Sequence, residues 1–193
     1  KWSVVENGVD PKLFRLDDSI SGREGVLCVA RVEGLKNQLN LVLAMKGLPW
    51  TLTLIGAVAP NHSSYLSRVL KESGENVRYL GQIPQSELPG FYQRAKVHVL
   101  PSWFETTGLS SLEAGAMGCN IVVAKRGDVT EYFQDRAFYC EPDDISSIRE
   151  AVRRAYEEPL NSALRERILN NCTWEKAALK TFRAYEKVLD EKS

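Results

Sequence analysis

The sequence predicts an α/β protein: a doubly wound parallel sheet with helices on both faces and a helical C-terminal tail. Short apolar runs of strand length alternate with segments of helical period from residue 26 to residue 140. Short apolar strands alternating with helices mean a parallel sheet covered on both faces. Beyond residue 141 the pattern is helical throughout.

Residues 1–24 read as irregular, with Asn7-Gly8-Val9-Asp10-Pro11 a strong turn signal. Strands are expected at 26–31 (VLCVAR), 51–56 (TLTLIG), 77–81 (VRYLG), 97–101 (VHVLP), 121–124 and 137–140. The helices between them fall at 38–46, with Leu39, Val42 and Leu43 on one face, and at 63–72. Another opens at Ser86, with Pro89 in its first turn where a missing N–H is tolerated, and runs to Ala95. A central helix carries Leu109, Leu112 and Met117, and a short helical turn lies near 130–133. Helices at 145–158, 162–170 and 174–189 complete the chain, broken at Pro159 and at 170–173.

Composition excludes several classes. The 193 residues carry 25 Lys plus Arg and 25 Asp plus Glu, so neither a nucleic-acid footprint nor an anionic membrane face is indicated. A hydrophobic fraction of 44% supports a sizeable core, and no apolar run has the length of a membrane span. The four cysteines, Cys28, Cys119, Cys140 and Cys172, form no Cys-x-x-Cys pair, which favours a reducing, cytosolic setting over a disulfide framework. His62 and His98 have no nearby cluster of ligand-type residues and read as structural or surface groups. No Asp-x-Asp occurs, the spacing with which many sugar transferases hold a divalent cation. The opening Lys-Trp suggests a piece of a longer polypeptide.

In a parallel sheet ligands bind beyond the carboxyl ends of the strands. Arg31, with Lys36 five residues on, therefore shares an edge with the start of the central helix, whose first N–H groups lack intrahelical partners. Two cations and a helix terminus converging suit a diphosphate. Glu105 sits in the loop before that helix. Glu113 lies about 7.5 Å along the axis from Gly108, on an apolar segment where a carboxylate needs donors such as the hydroxyls of a ribose. Ser102-x-x-Glu105 and Ser110-x-x-Glu113 equally fit capping boxes, though both cannot start one helix. From these residues alone, capping and ligand binding stand level.

The ordered set Arg31-x4-Lys36, Gly81, Pro101-Ser102, Glu105-x7-Glu113-Ala114 and Gly127-x3-Glu131 resembles the carboxyl-terminal, donor-binding domain of retaining glycosyltransferases of family four (glycosyl transferases group 1). Asn7-Gly8-Val9-Asp10 and Thr173-Trp174-Glu175-Lys176 resemble the entry to that domain and the start of its final helix. The resemblance implies a Rossmann-like domain of a GT-B enzyme. Residues 1–24 would enter from an amino-terminal acceptor domain, 25–172 would bind the nucleotide sugar, and 173–193 would form the C-terminal helix. It also implies a cytoplasmic hexosyltransferase that works without metal or other cofactor. Its donor is a nucleotide diphosphate sugar, with a UDP-sugar favoured over a GDP-sugar because Gln85 near Ile83 is neutral. A glycan, lipid or small-molecule acceptor, and any contact with the cytoplasmic membrane face, would belong to the other domain.

By the same resemblance Arg31 and Lys36 neutralise the diphosphate, Glu113 holds the ribose and Glu105 faces the transferred sugar, so Glu105, Arg31 and Lys36 carry catalysis. The main-chain N–H groups of Thr107, Gly108 and Leu109 complete the cradle, and Ile83 meets the base through its backbone. Four positions depart from the family pattern: Ala30 for glycine, Thr107 for phenylalanine, Asn120 for proline and Asp128 for a second glycine. The alternative is a non-catalytic nucleotide-sugar binding module. Retention of both Glu105 and Glu113 favours the enzyme.

Overall fold

A computed structural model describes residues 2–17, 22–160 and 162–190. Residues 1 and 18–21 of the expected irregular entry, and 191–193 of the C-terminal segment, lie outside the described residues. Six parallel strands form one sheet: β1 (Val26–Val29), β2 (Leu52–Ile55), β3 (Val77–Tyr79), β4 (Val97–Leu100), β5 (Asn120–Ala124) and β6 (Phe138–Cys140). Their spatial order is β3-β2-β1-β4-β5-β6. The chain thus winds outward from β1 to β3, crosses over, and winds outward again from β4 to β6. Every residue of β1, β4 and β5 is buried, which is why these strands are apolar apart from His98 and Asn120.

Eight helices flank the sheet among the described residues: α1 (Gln38–Met45), α2 (Ser63–Glu72), α3 (Leu88–Arg94), α4 (Leu109–Ala116), α5 (Val129–Phe133), α6 (Ile145–Glu157), α7 (Ser162–Asn171) and α8 (Trp174–Asp190). On α6 the spacing Ile148, Ala151, Val152, Ala155 buries one face. On α4, Gly115 lets α7 approach, since a Cβ there would lie 2.5 Å from Ile168 Cδ1. The helix expected from Ser86 begins instead as a 3₁₀ turn, Gln85–Glu87, and becomes α-helical at Leu88, with Pro89 in the first turn. The entry segment joins the core: Val9 and Phe14 are buried, Val9 pairs with Thr173 as an isolated bridge, and Phe14 packs edge-on against Tyr92 of α3.

The site is positioned at the crossover. β1 and β4 pair only at Val26↔Val97 and Leu27↔His98. Beyond that point the Val29 N–H donates to His98 Nε2 at 3.4 Å instead of continuing the ladder. The proton of the buried imidazole therefore sits on Nδ1, which faces Ser111 Oγ at 3.4 Å. Burial lowers the His98 pKa from its ordinary 6.5 to about 3, so the ring stays neutral. His98 is thus a core group, filling the gap where the two halves of the sheet part. The four cysteines are free and buried.

Candidate functional site

The crevice at the carboxyl ends of β1 and β4 is a pocket of about 440 Å³ lined by the loops after both strands and by Asn7 of the entry segment. Arg31, Lys36, Glu105, Thr107, Gly108 and Leu109 all border it, as their places after the strands led us to expect. Backbone ties hold the two loops together. The Trp103 N–H donates to the Leu35 carbonyl at 2.9 Å. Asn37, in the left-handed region that asparagine tolerates, sends its side-chain amide to the carbonyls of Pro101 (3.0 Å) and Pro142 (2.7 Å). A larger cavity of about 520 Å³ lies at the starts of the strands, beside Trp50 and Tyr156, and holds none of these groups. We place the chemistry in the crevice at the crossover, where both the charges and the free N–H groups are.

Neither cation stands alone. Lys36 forms an ion pair with Glu105, their side chains 18% and 12% exposed. Arg31, 63% exposed, reaches Glu33 at 3.0 Å. Glu105 is held through its backbone: it forms an isolated bridge with Gly127, and its carbonyl accepts from the Asp128 N–H at 2.9 Å. Gly127 has φ 79°, and a Cβ on it would lie 2.1 Å from the Glu105 carbonyl oxygen, so only glycine fits. Asp128, a departure from the family pattern, precedes α5 and serves this loop through its N–H.

The turn into α4 passes through Gly108 at φ 67°. No side chain caps this helix, so neither expected capping box forms. The reason is geometric. Gly108 occupies the N-cap position without a side chain, its carbonyl accepting from Ser111 and Leu112, and Ser102 lies upstream in the loop. Leu109, which opens the helix at the pocket's rim, is 43% exposed. Among the described residues, the N–H groups of Thr107, Gly108, Leu109 and Ser110 donate no hydrogen bond within the chain and are free for a ligand. The Thr107 side chain is turned inward, where Asn7 Nδ2 donates to its hydroxyl at 2.9 Å and the Tyr132 hydroxyl lies 3.4 Å away.

Glu113 sits further along α4, half-buried. The Tyr92 hydroxyl donates to its Oε2 at 2.9 Å and Gln85 Nε2 to its Oε1 at 3.2 Å. Burial raises the Glu113 carboxyl above its ordinary pKa, and both donors pull it back. Burial, with the neighbouring Glu113 charge, pushes the Tyr92 hydroxyl well above its usual range. Ile83 packs partly buried against the core and does not border the pocket. Sequence reasoning missed Tyr92 as the partner of Glu113 and Glu33 as the partner of Arg31, since each reads as an ordinary helical or loop residue. It took Asn7 for a turn and Gln85 only for a neutral neighbour of the base. Among the described residues no group of three or more His, Cys, Asp or Glu is arranged to hold a metal ion.

The profile of the family "Glycosyl transferases group 1" matches residues 14–173. The chain is similar to a glycogen synthase of Mycobacterium tuberculosis, 26% identical over 197 residues covering 95% of this chain and 48% of that protein. It superposes on the sucrose-phosphate synthase of Thermosynechococcus elongatus with a TM-score of 0.82 and 25% identity, covering 96% of this chain and 52% of that one. It superposes also on Anabaena HepE, solved in complex with UDP and glucose, with a TM-score of 0.81 and 17% identity, covering 96% and 56%. The chain spans about half the length of these proteins. With a profile match over most of its length and a doubly wound parallel sheet, the chain belongs to the glycosyl transferases group 1 family.

Proposed function

We propose that this chain is the donor-binding half of a retaining glycosyltransferase, taking a nucleotide diphosphate sugar, with a UDP-sugar favoured. The observation that carries the reading is the convergence of Lys36, Arg31 and the free N–H groups of residues 107–110 on one pocket. Glu113, further along the same helix and outside the pocket's lining, offers acceptors for a group beyond the diphosphate. The binding of UDP and glucose by HepE, a structural neighbour, supports the choice of donor.

The diphosphate draws Lys36 away from Glu105 and accepts from the main-chain donors at the start of α4. Those donors are fixed before the reaction, so negative charge developing on the leaving diphosphate is stabilised without reorganisation. Glu105, released from Lys36, faces the sugar, and Glu113 takes the ribose hydroxyls. Positive charge comes from side chains and the helix start, so no divalent cation is needed. The acceptor, and any membrane contact, belong to the remainder of the polypeptide.

Calorimetry on the 193-residue chain with UDP, GDP and ADP, each with and without a chelator, tests the reading. The expected result is UDP binding that survives chelation. Loss of binding on chelation would remove the metal-free mechanism. Failure to bind any of the three nucleotides would remove the donor-site reading itself.

A further inference from the structure

Tyr92 lies on α3, outside every motif that drew attention to the pocket. It is completely buried, and two rings hold it edge-on: Phe14 at 6.0 Å and 64°, and His98 at 5.8 Å and 61°. Its carbonyl accepts from Arg23 Nη1 and from Cys119 Sγ, each at 3.2 Å, which fixes the backbone beneath the ring. With the ring locked, the hydroxyl has one partner among the described residues, Glu113 Oε2 at 2.9 Å. Gln85 supplies the matching donor to Oε1 at 3.2 Å.

A carboxylate has about four acceptor positions, two on each oxygen. Tyr92 and Gln85 occupy one on each, which leaves one on each for a ligand. A pair of neighbouring hydroxyls is the group that offers two O–H donors at that separation. We propose that Tyr92 is a positioning residue, which aims the Glu113 carboxylate so that its remaining acceptors meet the two hydroxyls of a nucleotide ribose. This rests on the nucleotide reading of the pocket given above.

The surroundings leave the hydroxyl a permanent donor. The titratable and charged groups packed around the pair are Arg23 from the entry segment, Cys28 of β1, His98 of β4 and Cys119 after α4. The two thiols are pushed up to about 12 and the imidazole down to about 3, so none of these three changes charge near neutral pH. Tyr92 stays protonated, and its hydrogen bond favours the ionised form of Glu113 against the cost of burial.

Tyr92→Phe keeps the ring and removes only the donor. Calorimetry with UDP and with 2′,3′-dideoxy-UDP, across acid to neutral pH, separates positioning from packing. The expected result is a three- to tenfold loss of UDP affinity at neutral pH and less than a twofold change for the dideoxy compound. The acid limb of UDP affinity should also move to higher pH in the variant, because Glu113 loses the bond that lowers its pKa. In a Glu113→Gln background the Tyr92→Phe change should add nothing. Equal losses for both nucleotides, or an unmoved acid limb, would reduce Tyr92 to a core residue. Binding of UDP and dideoxy-UDP with equal affinity by the unaltered chain would overturn the ribose role of Glu113, and this proposal with it. Absence of nucleotide binding altogether would instead overturn the donor-site reading on which the proposal rests.

Discussion

Lys36 and Glu105, 69 residues apart in the chain, close the pocket as an ion pair that is mostly withdrawn from solvent. The pairing gives the two residues opposite effects on an anionic ligand. Lys36→Ala removes the attraction and leaves the Glu105 charge unopposed. UDP affinity should then fall at least tenfold, about 1.4 kcal/mol. Glu105→Gln frees Lys36 and removes a repulsion, so UDP affinity should hold or rise. Calorimetry on the two variants checks the pair of signs, and a tenfold loss in Glu105→Gln would show that Glu105 itself holds the nucleotide.

Glu113→Gln should weaken UDP binding by about 1–3 kcal/mol, the range for losing a hydrogen bond to a charged group. Because the uncapped start of α4 owes nothing to Glu113, the melting temperature at pH 7 should not fall. The carboxyl has a raised pKa in the fold, so its contribution to stability is full below the unfolded value and is lost as pH rises through the folded one. A neutral amide escapes that loss. Thermal melts at pH 5 and 7, alongside calorimetry, check both halves. A lowered melting temperature with unchanged affinity would make Glu113 a structural group.

His98 predicts an acid-sensitive fold. Its pKa of about 3 in the fold against an ordinary 6.5 means that the unfolded chain binds the proton first. Stability is therefore complete above pH 6.5 and falls as pH drops towards 3, by up to about 1.4 kcal/mol per pH unit. His98→Leu should cost stability at pH 8, since it leaves the Val29 N–H without its partner, yet show a shallower decline between pH 6.5 and 5. Urea denaturation at pH 8, 6 and 5 reads both effects; an unchanged slope would assign the acid sensitivity elsewhere.

Gly127→Ala places a methyl group 2.1 Å from the Glu105 carbonyl and forces the Glu105 loop to move. Both melting temperature and UDP affinity should drop, the second because the displaced Glu105 loop deforms the pocket it lines. Gly47→Ala is the control. It shares the left-handed backbone, with φ 72°, but a Cβ there meets nothing within 4 Å, so it should lower stability without touching affinity. Equal affinity losses in the two variants would show that the loop contact is unimportant.

Much of this protein is set by local sequence. The runs at 26–31, 51–56 and 97–101 became strands because apolar β-branched residues bounded by turn residues have few other folded uses. The helix at 63–72 matches its expected ends to the residue. Parallel winding then follows, and it places whatever comes directly after each strand on a single edge, which is why Arg31 and Lys36 could be named from the residues, while Glu105 and Thr107–Leu109 could be named mainly through the family resemblance. The partners of those residues could not. Capping rules see three or four residues, and they offered Ser110 to Glu113 as readily as a ligand would. The bond that Glu113 does make comes from Tyr92, 21 positions away, and Thr107 is held by Asn7, 100 positions away. Such distances are bridged by the crossover between β1 and β4 and by the docking of the entry segment. Both depend on how the whole chain packs, so only the tertiary structure decided which charges are paired, which N–H groups stay free, and which way the carboxylate of Glu113 is held.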